Sequence, residues 1–329
     1  MGFSILILMN QDNTILIVTH DAGIENALHE NILDNGFDEK KIFSFSRMGI
    51  NPTIQPAVYE FFQRQRPQYV FLTSICAGGI AANQARPAEF IYQNLEGQNN
   101  IIYAAWKFGV KKLLYAAASC VYPRGCPQPM KEEYLLTGAL EKTSEPYAVA
   151  KIAGLQLCQS FSRQYGFNTI ALVPPTVYGP GVDASEQTAH VMGALIAKFT
   201  DAVQKGQNEV AVWGTGNPHR EFLHVSDFAA ACVFLMNRYD SPELINAGGG
   251  EDIPIKELAE MIARIVGFNG RIVYDPSQPD GAPRKLLDSR RIFKLGWRPK
   301  VSLSDGIEET CRWYRETIGN KTMSKSTLA

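Results

Sequence analysis

The feature that most constrains the fold is a regular alternation of short apolar runs with longer amphipathic segments through the first half of the chain. The first run, TILIVT at residues 14–19, is β-branched and nearly all apolar, which is typical of a strand covered on both faces. The pattern predicts strands at 14–19, 41–45, 68–73, 112–117 and 168–174, and helices at 24–35, 54–64, 84–108 and 144–166. Such βαβ units predict an α/β fold with a doubly wound parallel sheet.

The alternation of apolar runs and amphipathic segments becomes less regular after Tyr178-Gly-Pro180. Here the pattern predicts a helix near 187–205, a strand at 209–213, a helix near 226–237, and a further helix opened by Pro254 and closed by Gly267. We therefore predict a Rossmann-like, dinucleotide-binding domain at 1–177, with segments near 208–250 returning to it. Residues 178–329 would form mainly a smaller substrate-binding lobe, and 321–329 a solvated tail.

Composition excludes several classes of protein. Hydrophobic residues make up 45% of the 329 positions, which is ordinary for a globular chain and too much for a disordered one. Lys and Arg number 32 against 33 Asp and Glu, so nothing favours nucleic acid as a partner. No apolar run is long enough for a membrane span, and the six cysteines show no metal-binding spacing. We expect a cytoplasmic protein with no membrane partner and no metal site.

A tyrosine and a lysine four residues apart, Tyr147-Ala-Val-Ala-Lys151, form the strongest candidate catalytic motif. On a helix they share one face, and a nearby ammonium lowers the pKa of a phenol toward the range useful for acid–base catalysis. The spacing alone is common and usually marks only a helix face. Its position about 30 residues after the fourth predicted strand, where the crevice of such a sheet lies, favours the catalytic interpretation.

Several further stretches occur in a fixed order along the chain. They are Cys120-Val-Tyr-Pro123, Pro127-Gln-Pro-Met130, Glu145-Pro-Tyr147, Tyr178-Gly-Pro180, Val212-Trp-Gly214, Arg220-Glu-Phe-Leu-His-Val225 and Arg284-Lys-Leu-Leu-Asp288. Together these stretches resemble the extended short-chain dehydrogenase/reductase family. Within it, they are most similar to the branch that epimerises C3 and C5 and reduces the C4 ketone of a GDP-4-keto-6-deoxyhexose with NADPH. The resemblance covers about residues 14–317.

The resemblance implies a role for each matching residue of the reaction centre. Tyr147 would protonate the sugar O4, Lys151 would tune it, and Cys120 and His190 would exchange protons at C3 and C5. A C4 ketone acidifies both neighbouring C–H bonds, and a thiolate and an imidazole with pKa values on either side of neutrality suit that exchange. Taken alone, Cys120 is better explained as a buried apolar side chain, and the presence of His190 at its matching position is what favours the catalytic role.

The resemblance also implies a GDP-sugar or other nucleotide-sugar substrate. Arg220 and Lys285 match positions near the diphosphate, although either could be an ordinary surface charge. The remaining substrate-binding candidates are Thr176, which replaces an asparagine of the family, Lys198 and Trp213. Family members usually pair through the helices here at 84–108 and 144–166, so a homodimer is expected.

The chain departs from the family at the glycine-rich turn after the first strand. The three glycine positions read His20, Gly23 and Asn26, and Ala22 stands where the family often carries a basic residue. Glycines there let the backbone approach a pyrophosphate, so the turn predicts weak cofactor binding. After the second strand there is no acidic residue that would select NAD, and Arg47 could accept a 2′-phosphate. The cofactor favoured by the sequence is therefore NADP(H), held by this turn, Arg47 and Lys151.

A second departure is Ala118, which replaces the family's serine beside the C4 oxygen and leaves Ser119 as the neighbouring hydroxyl. Loss of one such donor typically costs about 10²–10³ in rate. Three hypotheses remain open. The chain is a full epimerase/reductase, a redox-silent epimerase of a substrate that arrives as a 4-ketone, or a non-catalytic nucleotide-sugar-binding protein.

Overall fold

The computed structural model describes residues 9–182 and 190–326, with side chains up to residue 317. The predicted start of the helix near 187, most of the region 1–13 and the end of the predicted tail lie outside the described residues. The strands are β1 (Ile15–Val18), β2 (Ile42–Ser44), β3 (Tyr69–Leu72), β4 (Lys112–Ala116), β5 (Thr169–Val173), β6 (Thr176–Tyr178), β7 (Glu209–Trp213), β8 (His219–Arg220), β9 (Phe222–His224), β10 (Leu244–Asn246), β11 (Ile253–Pro254), β12 (Arg271–Asp275) and β13 (Arg284–Lys285).

Helices cover both faces of the main sheet and build the second lobe. They are α1 (Ala22–Asp34), α2 (Gln55–Gln65), α3 (Ile80–Ala85), α4 (Pro87–Lys107), α5 (Glu145–Tyr165), α6 (Val191–Gln204), α7 (Val225–Arg238), α8 (Ile255–Val266), α9 (Arg290–Lys294) and α10 (Leu303–Ser326). Within the described ranges, no helix combines the length and the apolarity that crossing a bilayer requires.

The main sheet has six strands in the order β10-β5-β4-β3-β1-β2, and all neighbours are parallel. Leu16 and Val18 of β1 point into the core on one face, with α2, α4 and α5, while Ile15 and Ile17 point into the core on the other face, with α1 and α7. A strand buried on both faces must be apolar at every position, and for this reason the apolar run at residues 14–19 correctly predicted β1. The order in which strands are added to the sheet reverses between β1 and β3. A crevice opens at the carboxyl ends of these two strands.

The predicted long helix at 84–108 is wrong in one respect, because the structure breaks it into α3 and α4. The break falls at Arg86, whose backbone angles are φ −134° and ψ 50°. Arg86 precedes Pro87, and the proline ring disfavours the helical conformation of the residue before it. The proline then serves as the first residue of α4.

The second lobe has its own core, formed largely by α6, α8, α10 and the parallel pair β7–β12. The segment between β7 and α8 does not lie entirely within this lobe. Strand β10 pairs with β5 at the edge of the main sheet, and α7 packs on α1. The chain therefore passes between the two parts at least three times, and the boundary at 177/178 stays a prediction.

Helices α4 and α5 lie side by side, and Gly154 of α5 packs directly against Tyr115 of β4 and Gln98 of α4. A Cβ atom at this position would overlap the phenol of Tyr115 and lie 2.8 Å from Gln98 Oε1. Tyr115 Oη donates to that same Gln98 oxygen at 2.8 Å, so neither side chain can withdraw without losing a buried hydrogen bond.

We therefore expect Gly154→Ala to lower the free energy of unfolding by about 1–3 kcal/mol, the usual cost of overpacking a core. Gly125→Ala is the matched control, because a Cβ there meets no atom within 4 Å. Denaturant unfolding of both variants measures the difference. Equal stability of the two variants would contradict this prediction and show that the packing around Gly154 accommodates a methyl group at no cost.

Candidate active site

A cavity of about 410 Å³ lies at the carboxyl ends of β1, β3 and β4 and extends to the second lobe. Most of the predicted site residues line it: His20, Ser119, Cys120, Tyr147, Thr176, His190, Lys198, Trp213, Arg220 and Lys285. Gly23, Ala22, Asn26, Arg47 and Lys151 are not part of this lining. The cavity therefore brings the predicted catalytic and substrate-binding residues together, while most of the predicted cofactor residues lie outside it.

Lys151 is buried behind the cavity wall and is held by the ends of two strands. Its Nζ donates to the carbonyl oxygens of Thr73, at 3.1 Å, and Ala116, at 2.9 Å. Burial lowers the pKa of Lys151 to about 8. Its Nζ lies 5.8 Å from the centre of the Tyr147 ring, so the predicted pairing of the two side chains on one helical face is present.

The electrostatic consequence predicted for that pairing is wrong. Burial raises the pKa of Tyr147 well above its usual value, and the neighbouring Cys120 and Cys76 raise it further. The cost of placing a phenolate in a dry site outweighs the attraction of an ammonium already engaged by two carbonyl groups. Tyr147 is therefore held as a protonated donor facing the cavity.

Cys120 lies on a short 3₁₀ turn, Ser119–Val121, that follows β4, and its residue is 7% exposed. Burial raises the pKa of the Cys120 thiol, and the ammonium groups of Lys285 and Lys151 partly oppose that rise. The expectation of a thiol pKa near neutrality is thus wrong in direction for the protein alone. His190, at the N-cap of α6, lines the same cavity.

Arg220 and Lys285 are half-buried and line the cavity, so they are not ordinary exposed surface charges. Burial lowers the pKa of Arg220 to about 10 and lowers the pKa of Lys285 as well. Arg220 donates to the carbonyl oxygens of His219, at 2.8 Å, and Asp280, at 3.1 Å. Two cations placed together in a poorly solvated wall favour an anionic ligand.

A buried carboxylate that the sequence analysis missed positions both cations. Glu221 follows Arg220, and its two oxygens accept the N–H groups of Gly250 and Leu287, each at 2.8 Å. Burial raises the pKa of Glu221 to about 7. By joining β8 to the segment just after β13, it fixes Arg220 and Lys285 relative to each other.

Lys198 of α6 and Trp213 of β7 form an exposed pair in the lining of the cavity. Lys198 Nζ donates to the carbonyl oxygen of Ala211 at 2.9 Å and lies 5.6 Å from the indole centre. The indole is 49% exposed, which leaves an aromatic face available for stacking. Thr176, on β6, also lines the cavity.

Three further polar residues of the cavity wall are not among the predicted site residues. Thr73 Oγ1 and Asn83 Oδ1 are buried without a hydrogen-bond partner among the described residues, and Glu141 is buried and ion-paired with Arg124, Nε to Oε2 3.0 Å. Asn83 Nδ2 donates to the carbonyl oxygens of Gly78 and Gly79, which turns its oxygen away from them. The sequence feature that could have indicated these residues is the occurrence of polar side chains near Gly78 and Gly79, which follow β3.

The turn between β1 and α1 is closed by contacts within the chain. Asp21 Oδ1 accepts the N–H of Ile24 at 2.9 Å, and Gly23 donates its N–H to the carbonyl oxygen of Gly181 at 3.2 Å. A Cβ at Gly23 would overlap the backbone of residues 180–182, so this glycine is required by packing. His20 Nδ1 lies 2.7 Å from Ser74 Oγ. The helix N-terminus thus offers fewer free donors to a pyrophosphate than a complete glycine turn would.

The nicotinamide end of the cavity fits a dinucleotide cofactor better than the phosphate end does. Thr73 Oγ1 is an unpartnered buried hydroxyl at the end of β3, next to the carbonyl that holds Lys151. Together with Tyr147, these residues form a wall suited to a ribose and a nicotinamide ring. Thr73, Tyr147 and Lys151 are accordingly the residues that would hold the reactive end of the cofactor.

Residues 7–248 match the model of the NAD dependent epimerase/dehydratase family, and the chain belongs to that family. The family resemblance and fold class predicted from the motifs are confirmed, as is the enzyme class at the level of the family. The family name also supports a nicotinamide cofactor.

The curated relatives of the chain include GDP-L-fucose synthases. The chain is 42% identical to GDP-L-fucose synthase 1 of Arabidopsis thaliana, over 97% of this chain and 98% of that protein. It is 42% identical to the GDP-L-fucose synthase of Escherichia coli K12, over 92% and 96%. A solved GDP-mannoheptose C4 reductase from Campylobacter jejuni, with NADP bound, is 36% identical and superposes with a TM-score of 0.82 over 93% of this chain and 99% of that one.

Proposed function

We propose that the chain converts a GDP-4-keto-6-deoxyhexose by epimerisation at C3 and C5 followed by reduction of the C4 ketone. The observation that carries the proposal is the convergence of Cys120, His190 and Tyr147 on one cavity whose wall also holds Arg220 and Lys285. The names of the relatives, GDP-L-fucose synthases, support the same substrate class.

Epimerisation needs one group that removes a proton and another that returns it. Cys120, as thiolate, takes the proton from carbon, and His190 delivers a proton to the opposite face. The electrons move onto O4, where the Tyr147 hydroxyl donates a hydrogen bond to the developing enolate. Lys285 lowers the energy of the thiolate, since its charge opposes the rise of the Cys120 pKa that burial causes.

Reduction uses the same tyrosine in a different way. The nicotinamide cofactor, when bound, supplies hydride to C4. Tyr147 gives its proton to O4, and Lys151, fixed by the carbonyl groups of Thr73 and Ala116, stabilises the phenolate that remains.

The nucleotide end of the substrate lies in the second lobe in this proposal. Arg220 and Lys285 bind the diphosphate, while Trp213 offers a stacking face to the base, with Lys198 and Thr176 beside it. A homodimer that pairs through α4 and α5, and a cytoplasmic location, complete the proposal.

The test is incubation of the purified protein with GDP-4-keto-6-deoxymannose in D₂O, with and without reduced nicotinamide dinucleotide. We expect deuterium at C3 and C5 in both samples, and a C4 alcohol only where the cofactor is present. Binding of the sugar nucleotide without exchange or reduction would support a non-catalytic binding protein and contradict the proposal.

A redox-silent epimerase is the second candidate, and Ala118 favours it. Ala118 lines the cavity just before Ser119 and cannot donate a hydrogen bond to O4. Asp21 and Gly181 already take N–H groups of the first turn of α1. In the same experiment this candidate gives exchange in both samples and no C4 alcohol in either.

Restoring the missing groups separates the two candidates further. We expect Ala118→Ser alone to change reduction little, and its combination with His20→Gly and Asn26→Gly to exceed the sum of the two effects on the free energy of activation. The reason is that a second donor to O4 helps only when a hydride donor is bound. Oxidation of reduced nicotinamide, followed by absorbance across this double-mutant cycle, measures the coupling. Rapid turnover by the unaltered protein would exclude the redox-silent candidate.

A further inference from the structure

The end of β2 is the place where a sheet of this kind meets the adenosine ribose of a dinucleotide. An acidic residue there hydrogen-bonds the 2′-hydroxyl of NAD, whereas a nearby arginine accommodates the 2′-phosphate of NADP. Residues 44–51 contain one basic residue, Arg47, and no acidic one. On the sequence alone this segment favours NADP(H).

The structure places a carboxylate at this position from another element. Glu25, in the first turn of α1, lies with Oε1 2.8 Å from Arg47 Nε, and its side chain is 6% exposed. Its other oxygen accepts a hydrogen bond from Ser46 Oγ. Asn26 Oδ1 accepts from Arg47 Nη2 at 3.1 Å. Residues 25 and 26, both in the altered glycine turn, thus hold the guanidinium group.

This network changes which ribose the site favours. The Arg47 charge is balanced by Glu25, so a 2′-phosphate gains little from the guanidinium and must approach a fixed negative charge. Pulling Arg47 away would leave a buried carboxylate unpaired, which is costly. A free 2′-hydroxyl brings no charge, and it can donate a hydrogen bond to the hydroxyl oxygen of Ser46, which is exposed beside Glu25.

We infer that Glu25 selects a dinucleotide with a free 2′-hydroxyl, so that the chain binds NAD(H) in preference to NADP(H). The acidic residue that selects NAD is supplied by α1 instead of the end of β2. This inference deepens the proposed function, on which it rests, by naming the cofactor of its reductive half. Cofactor-free epimerisation does not depend on it.

Calorimetric titration with NADH and with NADPH, in the absence of sugar nucleotide, tests the inference. We expect the unaltered protein to bind NADH more tightly by about tenfold or more, the size expected from a like-charge contact. Glu25→Gln keeps the shape and removes the charge, so it should tighten NADPH binding by about tenfold and close most of that gap. Glu30→Gln, on an exposed part of the same helix, is the matched control and should leave the ratio unchanged.

A second variant keeps the test independent of any folding defect in Glu25→Gln. Arg47→Ala should alter NADPH binding less in the unaltered protein than in the Glu25→Gln background, because Glu25 neutralises the arginine. Three results would overturn the inference: NADPH binding at least as tight as NADH, a ratio that Glu25→Gln leaves unchanged in a folded sample, or no measurable binding of either dinucleotide. Deuterium exchange without cofactor, measured on the same samples, reports separately on the proposed function.

Discussion

Cys120→Ser is expected to slow deuterium exchange at C3 and C5 of a 4-keto nucleotide sugar by about 10²–10⁴-fold, the usual contribution of a positioned acid–base group. Serine has nearly the same size as cysteine, but its hydroxyl is far too weakly acidic to form the base. Exchange by the unaltered protein should also rise with pH through and beyond neutrality. Burial raises the pKa of the Cys120 thiol, so the thiolate fraction keeps growing where an ordinary thiol would already be largely ionised.

The matched control is Cys126→Ser, six positions along the chain and half-buried, but not part of the cavity lining. We expect it to exchange at the rate of the unaltered protein, as followed by proton NMR of the sugar. If Cys120→Ser exchanges equally fast, Cys120 is only an apolar side chain of the core, and the assignment of the base is wrong.

Tyr147→Phe is expected to lower the rate of C4 reduction by about 10²–10⁴-fold and the rate of exchange by a smaller factor. In reduction the tyrosine proton ends on O4 in the product, whereas in exchange O4 begins and ends as a ketone and only needs a hydrogen bond. Phenylalanine keeps the ring contact with Phe90, whose centre lies 6.1 Å away, so the helix start should stay in place.

Tyr92→Phe controls for the loss of a phenol, because Tyr92 is 62% exposed on α4. Both rates are measured on one sample, reduction by absorbance of the reduced nicotinamide and exchange by NMR. A Tyr147→Phe protein that loses exchange more than reduction would contradict the role given to this residue as the proton donor of reduction.

The main sheet was readable from the sequence because its central strands are buried on both faces. Ile15–Val18 and Tyr69–Leu72 must be apolar at every position, and such runs stand out between helices. The small strands of the second lobe carry no such signal. The strands His219–Arg220 and Arg284–Lys285 are only two residues long, and the buried carboxylate of Glu221 adds a hydrogen bond to the segment just after the second of them.

Most of the predicted site residues line one cavity, but the pKa shifts predicted for Tyr147 and Cys120 have the wrong direction. The four-residue spacing fixes Tyr147 and Lys151 on one face, but the pKa of each depends on how dry the finished cavity wall is. Similarly, Arg47 was available for a phosphate on the sequence alone. Its partner Glu25 lies on a different element, and only the packing of α1 against the end of β2 brings them together.

The return of the chain to the main sheet has a consequence for how the protein must be made. Strand β10 covers the edge of β5, and α7 covers one face of the sheet, yet both are encoded after the start of the second lobe. When only the first half of the chain has emerged from the ribosome, the edge of β5 is unpaired and the apolar face of α1 is exposed. The first half therefore cannot complete its folding before the second half is synthesised. A fragment that ends near residue 177 should aggregate unless the rest of the chain is present as a second fragment.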